Sequence, residues 1–180
     1  MNLGASRMKI VLSGLGLMVA GCTTVPPVAP LSPIAREAPA QSPIASSVRV
    51  PTGHSLVYVS GTVPDAVDPS AAEGSVKRYG DTEAQTRSVL AKIEQELHKH
   101  GLALDDVVMM RVFLVAPPGQ AAMDFAGMMR AYRERFASPG NPAKPARSTM
   151  QVAGLVNPGW LVEIVVTAAS DMGSKAIIIH

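Results

Sequence analysis

The chain has 180 residues, 47% of them hydrophobic and only 4% aromatic, so it is long enough for one domain with appendages and predicts an aliphatic core. Its net charge is +2, and without Arg7 and Lys9 the 16 basic residues fall to 14, which equals the 14 acidic ones. A balanced body lacks the clustered basic surface that phosphate binding requires, so no nucleic-acid partner is expected.

Residues 1–21 are predicted to be a signal peptide. Two basic residues precede an apolar run from Ile10 to Gly21, which is too short to cross a bilayer. The run ends on Val19-Ala20-Gly21-Cys22, which resembles the lipobox of bacterial lipoproteins. We therefore expect Cys22 to be lipidated and to anchor the chain to a membrane. The alternatives are an ordinary secretory leader or a start site that leaves Cys22 buried in the fold.

Cys22 is the only cysteine, so the chain has no internal disulfide. Thr23 rather than aspartate follows it, which is typical of lipoproteins sorted to the outer membrane, so the expected location is the bacterial cell envelope, facing the periplasm. Met1 and Met8 are both compatible start sites. Residues 22–45 are rich in proline and alanine, which favours an extended polyproline tether.

Residues 46–170 are predicted to form one α+β domain with the order ββαβαββ, followed by a tail at 171–180. Alternating or continuous apolar runs bounded by turn signals mark the strands. The expected strands are Ser47–Val50, Leu56–Ser60, Val107–Val115, Ala146–Leu155 and Trp160–Ala168. The turn Pro51-Thr52-Gly53 predicts that the first two strands pair as a hairpin.

Two amphipathic helices are predicted between these strands. The first begins at a capping box, Thr82-x-x-Gln85, and ends before Gly101. Its apolar face is formed by Thr86, Leu90, Ile93 and Leu97, and that of the second helix by Ala122, Phe125, Met129, Tyr132 and Phe136. His98 and His100 are two residues apart and point to different sides of a helix, so no metal site is predicted and no cofactor is expected.

Arg147 and Glu163 are the strongest candidates for function. Arg147 lies in Pro145-Ala146-Arg147-Ser148, and Glu163 interrupts the apolar run from Trp160 to Val166. A charged group in such a strand must be paired, hydrated or protonated, because an isolated buried carboxylate costs several kcal/mol. We expect the two residues on neighbouring strands, either as a structural ion pair or as parts of a ligand site.

Several separated motifs, namely Val57-Tyr58-Val59-Ser60-Gly61, Val112-Phe113 and Pro145-Ala146-Arg147-Ser148 ahead of Glu163, resemble the Rid family of reactive intermediate deaminases, also called YjgF-like proteins. The resemblance implies a chorismate-mutase-like (YjgF-like) fold with two helices on one face of the sheet. It also implies a homotrimer with pockets between subunits. The implied activity is hydrolysis of small enamines and imines, of the 2-iminobutanoate and 2-iminopropanoate type, to 2-oxo acids and ammonia.

The resemblance also assigns roles to residues. Arg147 matches the arginine that binds the carboxylate of a small metabolite, and its planar fork suits two carboxylate oxygens. Glu163 matches the acid that activates water. Ser60 and Gly61 match pocket residues near the substrate nitrogen, and the backbone of Thr149 matches a further carboxylate contact.

Two positions depart from the family pattern. Ile44 stands where the family has a tyrosine, and Met129 where it has an asparagine, so the pocket is expected to be more apolar. An exported protein also does not ordinarily meet aminoacrylate, which arises in the cytoplasm. Two alternatives therefore stay open beside the enzyme: a trimer that binds a carboxylate metabolite without catalysis, and a structural envelope lipoprotein.

Overall fold

The computed structural model describes residues 32–171; the predicted signal peptide, Cys22, the start of the tether and the tail from 172 onward lie outside the described residues. The elements in chain order are β1 (Ala35–Glu37), β2 (Ser47–Arg49), β3 (His54–Thr62), α1 (Val76–Tyr79), α2 (Thr82–His98), β4 (Val107–Leu114), α3 (Phe125–Arg135), β5 (Ala146–Gln151) and β6 (Val162–Asp171). Between positions 32 and 171, no helix has the length and apolarity needed to span a bilayer.

Strands β3 to β6 form one mixed sheet, in the spatial order β3-β6-β4-β5. Strand β6 pairs antiparallel with β3 and β4, whereas β4 pairs parallel with β5. Helices α2 and α3 pack together over one face, where alternate strand residues such as Met110, Val112, Ile164 and Val166 are buried. The predicted α+β fold is confirmed.

The start of the domain differs from the prediction. Strand β2 pairs with β1, not with β3, so the predicted hairpin is wrong. Strand β1 lies inside the predicted tether, and Arg36 fixes it there by donating to the carbonyls of Asp105 (2.9 Å), Val107 (2.8 Å) and Lys144 (3.3 Å). Ala45 is also buried and bridges to β5. These long-range contacts override the polyproline tendency of the segment.

Helix α2 begins at Thr82, so its N-cap lies one residue before the predicted capping box. Its N-cap is Asp81, whose carboxylate accepts from the Ala84 amide at 2.8 Å. Gln85 is free for another role: its amide nitrogen donates to the carbonyls of Gly80 and Gly159, and its oxygen accepts from the amide of Leu161. A buried glutamine thus ties the start of α2 to the loop that leads into β6.

The buried side of α3 is rotated from the predicted stripe. Met128 and Ala131 are fully buried beside Tyr132. Phe125 is 44% exposed, and Met129 is only partly buried. Phe125 and Met129 therefore face the edge of the sheet near β5 rather than its centre.

Candidate functional site

Arg147 and Glu163 do not lie on neighbouring strands as predicted, because β4 runs between β5 and β6. Arg147 is in register with Met110 of β4, and Glu163 is in register with Phe113 of the same strand. Residues in register share a face of a sheet, and successive residues alternate between faces. Met110 is buried under the helices, while Glu163 alternates with the buried Val162 and Ile164. Arg147 therefore points to the helix-covered face and Glu163 to the opposite face, so they form no ion pair within one chain.

Residues of α3 hold the guanidinium of Arg147. Its central carbon lies 4.2 Å from the centre of the Tyr132 ring and 6.0 Å from that of Phe125, which gives cation–π contacts. One terminal nitrogen, Nη2, is 3.1 Å from the sulfur of Met129, a weak acceptor. The other, Nη1, is buried and has no hydrogen-bond partner. An unsatisfied charged donor of this kind costs about 1–3 kcal/mol or more, which a bound anion would recover.

Electrostatics around Arg147 also favour an anion. Burial lowers the pKa of Arg147, the Tyr132 phenol opposes this, and the charge of Arg133 lowers it further. Burial raises the pKa of Tyr132 to about 12, so its phenol stays neutral at physiological pH. The phenol hydroxyl donates to the carbonyl of Pro43 at 3.1 Å, which fixes the ring under the guanidinium.

Arg147 opens into a cleft of about 620 Å³, which we call the arginine cleft. It is lined by Ser42, Pro43, Ile44, Phe125, Ala126, Met129, Arg130, Arg133 and Arg147. Three of these residues are cationic, none is acidic, and the others are mostly apolar. Ile44 and Met129, the two positions that depart from the family pattern, both lie here. Phe125 and Arg133 were not predicted from the sequence to line a pocket.

Thr149 lies two residues after Arg147 and shares its face of the sheet, in register with the buried Val112. Its hydroxyl oxygen is buried and has no hydrogen-bond partner. Buried hydroxyls are usually paired. Two unsatisfied polar groups, one from each of these residues, therefore occur on the same face of one edge strand.

Glu163 and the Ser60-Gly61 pair meet on the other face. An ideal Cβ built on Gly61 would lie 2.8 Å from the carboxyl carbon of Glu163, so the carboxylate lies directly over this glycine. No hydrogen bond or ion pair joins the Glu163 carboxylate to another residue in the described part of the chain. Ser60 is exposed, and its carbonyl accepts from the Thr62 hydroxyl at 3.1 Å. The predicted site residues thus form two groups, Arg147 with Thr149 and Glu163 with Ser60-Gly61.

A metal is not suggested by the arrangement of possible ligands. Within residues 32–171, no group of three or more histidine, cysteine, aspartate or glutamate side chains is close enough to hold an ion. His98 and His100 are both exposed. The chemistry that the described residues offer is anion binding by arginine and proton transfer by a carboxylate.

These features define a small α+β domain with a cationic cleft on the helix side of its sheet. Residues 37–170 match the model of the family described as endoribonuclease L-PSP. The chain belongs to this family, which is part of the YjgF/Rid superfamily.

The chain is also similar to several solved structures. A protein of unknown function of the conserved Rid family from Yersinia pestis is 22% identical, with a TM-score of 0.57 over 76% of this chain and 98% of that one, and it supports the fold alone. A member of the YjgF family from Mycobacterium tuberculosis is 28% identical, with a TM-score of 0.48 over 70% and 86% of the two chains. A Thermotoga maritima protein, provisionally described as an endoribonuclease, is 30% identical, with a TM-score of 0.48 over 73% and 89%.

Proposed function

We propose that this protein hydrolyses small enamines or imines derived from 2-amino acids to 2-oxo acids and ammonia, at the cell envelope. The observation that carries the proposal is the buried, unpartnered Nη1 of Arg147 in a cleft whose lining contains no carboxylate. A guanidinium in this state suits the carboxylate of such a substrate, because it stays charged and offers two parallel donors.

Glu163 would supply the proton transfers. A water molecule attacks C2 of the imine and gives a proton to the Glu163 carboxylate, while the electrons of the C=N bond move to nitrogen, which takes that proton back from Glu163. The resulting carbinolamine then collapses: the C2 hydroxyl gives its proton to Glu163 as its oxygen becomes the oxo group, the C–N bond breaks, and Glu163 passes the proton to nitrogen, which leaves as ammonia. One carboxylate thus acts first as base and then as acid.

This mechanism needs two chains. Because Arg147 and Glu163 occupy opposite faces of one sheet, a single chain cannot bring both to one substrate. We propose a homotrimer in which the arginine cleft of one subunit meets the Glu163 face of the next. The exposure of Leu56 (44%) and Tyr58 (74%) on that face supports an interface there, since large apolar side chains favour burial.

The deaminase test uses 2-iminobutanoate generated in place by a threonine dehydratase, with release of the 2-oxo acid followed as its semicarbazone. The wild-type protein should accelerate release, and Arg147→Ala should lower kcat/KM by about 100-fold or more, since it removes a charge-assisted carboxylate contact. Arg49→Ala is the matched control, because this arginine is exposed on β2. Equal release by wild type and Arg147→Ala would overturn the proposal.

A second candidate function, binding of a carboxylate metabolite without turnover, is favoured by Met129. Its sulfur contacts Nη2 of Arg147, at the position where the family's asparagine would offer a polar group. Ile44 adds another aliphatic side chain to the lining of the cleft. Calorimetry with 2-oxobutanoate separates the two functions: Arg147-dependent binding without turnover supports the binding protein. A single-stranded RNA should be tested beside it, because the family description names an endoribonuclease.

The envelope location is a proposal from the sequence, through lipidation of Cys22. Cells expressing the full chain and fed labelled palmitate should yield a labelled protein in the membrane fraction, and Cys22→Ser should abolish the label. Label that persists in Cys22→Ser, or an unlabelled wild type, would overturn the anchor. A membrane-bound, trimeric protein with neither turnover nor ligand binding would instead indicate a structural lipoprotein.

A further inference from the structure

The arginine cleft contains a second cation, Arg133, that is not neutralised. The three neighbouring arginines of α3 differ in whether an acidic side chain pairs with them. Arg130 pairs with Glu83 at 2.5 Å, and Arg135 pairs with Glu94. The side chain of Arg133 makes no ion pair or hydrogen bond to any residue in the described part of the chain, and it is exposed at the rim. It is close enough to Arg147 for its charge to depress the pKa of that residue.

The cavity continues beyond Arg133. An adjoining hollow of about 220 Å³ shares Ser42, Pro43 and Arg133 with the arginine cleft. Its lining adds Lys144, whose ammonium touches only the carbonyl of Ala40, at 3.4 Å, and it contains no acidic residue. Positive charge therefore extends from Arg147 past Arg133 to Lys144 with no carboxylate in either lining.

Apolar groups line the same cleft as the inner and outer cations. Ile44, Phe125 and Met129 line the cleft beside Arg147. A small polar substrate such as a three-carbon imino acid would leave these side chains and Arg133 without contacts. A cleft of about 620 Å³ also exceeds what so small a molecule fills, since ligand sites of this size commonly hold larger compounds.

We propose that the natural ligand is a 2-imino or 2-oxo acid that carries a second anionic group at the end of a short aliphatic chain. The first carboxylate binds Arg147, the methylene groups contact Ile44, Phe125 and Met129, and the terminal carboxylate binds Arg133 with help from Lys144. This inference rests on the proposed function, because it takes Arg147 as the contact for the first carboxylate.

The test compares two stable 2-oxo acids with the same six-carbon backbone, 2-oxohexanoate and 2-oxoadipate, which differ only in a terminal methyl or carboxylate. Affinities are measured by calorimetry on the assembled wild-type protein at low and moderate ionic strength. We expect 2-oxoadipate to bind roughly three- to ten-fold more tightly, because the added ion pair is partly exposed. The advantage should shrink as salt is raised.

Variants assign the effect to its residue. Arg133→Gln should remove the advantage of 2-oxoadipate and leave 2-oxohexanoate unchanged. Arg130→Gln is the matched control, since Arg130 lies in the same cleft but is neutralised by Glu83, and it should keep the advantage. Equal affinities in wild type, or an advantage that survives Arg133→Gln, would overturn the inference. If both acids bind equally and both need Arg147, only the inference fails; if neither needs Arg147, the proposed function fails as well.

Discussion

Arg147 is held in place by Tyr132, whose ring lies under the guanidinium while its hydroxyl bonds the segment before β2. This role links the functional side chain to α3 and to the first residues of the domain. The contact depends on a neutral, fully buried phenol. The ionisation of Tyr132 is therefore a direct probe of the floor of the cleft.

Stability should fall at high pH because of Tyr132. Burial raises its pKa from 10.0 to about 12, so the folded state retains the phenol proton when the unfolded state has lost it. The stabilisation is fully present below pH 10 and is lost as the pH rises to about 12. The free energy of unfolding lost in this way is at most about 3 kcal/mol. Urea unfolding between pH 7 and pH 12 should show a smaller decrease in the free energy of unfolding for Tyr132→Phe than for wild type, because the variant has no phenol to ionise.

At pH 7 the same variant should lose about 1 kcal/mol, because the hydrogen bond to Pro43 is missing. Arg49→Ala serves as the control, since Arg49 is exposed on β2, and its unfolding should follow that of wild type at every pH. Parallel curves for wild type and Tyr132→Phe up to pH 12 would show that the phenol does not titrate as expected.

The Glu163 carboxylate can be moved without changing Glu163 itself. A methyl group at position 61 would collide with this carboxylate, whose end is flexible, so Gly61→Ala should displace it at a cost below about 1 kcal/mol in unfolding free energy. We expect kcat for imine hydrolysis to fall about ten-fold, with the affinity for 2-oxobutanoate unchanged, because Arg147 and not Glu163 binds the carboxylate of the ligand.

Gly154→Ala is the matched control for this substitution, because no atom lies within 4 Å of a Cβ at that position. It should leave both kcat and stability as in wild type. Unchanged turnover in Gly61→Ala would remove Glu163 from the reaction. A loss of 2-oxobutanoate affinity would instead show that the two groups of residues act on the same part of the ligand.

Among the elements, α2 depends on a buried side chain at its first turn. Gln85 makes three hydrogen bonds, to the carbonyls of Gly80 and Gly159 and from the amide of Leu161. Gln85→Leu keeps the approximate shape but leaves these groups without partners. We expect a loss of about 3 kcal/mol in unfolding free energy, measured by urea titration. Gln95→Leu, on the exposed side of the same helix, should change stability by less than about 0.5 kcal/mol.

Elements with a clear hydrophobic period could be predicted from the sequence. Leu90, Ile93 and Leu97 are spaced for a helix and are buried in α2, and the apolar run of β4 lies at the centre of the sheet. Strand β1 could not be predicted, because three residues, Ala35–Glu37, carry no period, and Arg36 finds its carbonyl partners on segments some 70 to 110 positions away. Such pairings depend on the assembled fold.

The sequence named candidate site residues but not their geometry. Motif resemblance identified Arg147, Thr149, Gly61 and Glu163, and the structure brings them together in two groups. Their separation by β4 follows from the strand order, which local sequence does not encode. Arg133 could not be distinguished from Arg130 and Arg135 by sequence, because three arginines on one helix look alike until their acidic partners are known.

At the scale of the whole molecule, the position of Arg147 and Glu163 on opposite faces of the sheet predicts that each site is completed by two subunits. If each site takes Arg147 from one subunit and Glu163 from the next, a closed ring of identical subunits completes every site. If instead one chain formed the whole site by itself, assembly would not affect turnover. The two arrangements predict different turnover rates for a mixture of two inactive variants.

Arg147→Ala and Glu163→Gln should each be inactive alone and should restore activity when their subunits are exchanged. In randomly mixed trimers prepared by dilution from denaturant at equal concentrations, about one site in four receives an intact arginine from one variant and an intact glutamate from the other. Turnover of 2-iminobutanoate should therefore recover to about a quarter of the wild-type rate, while each variant refolded alone stays inactive. A mixture as inactive as its components would contradict the two-chain site, provided light scattering shows trimers in every sample.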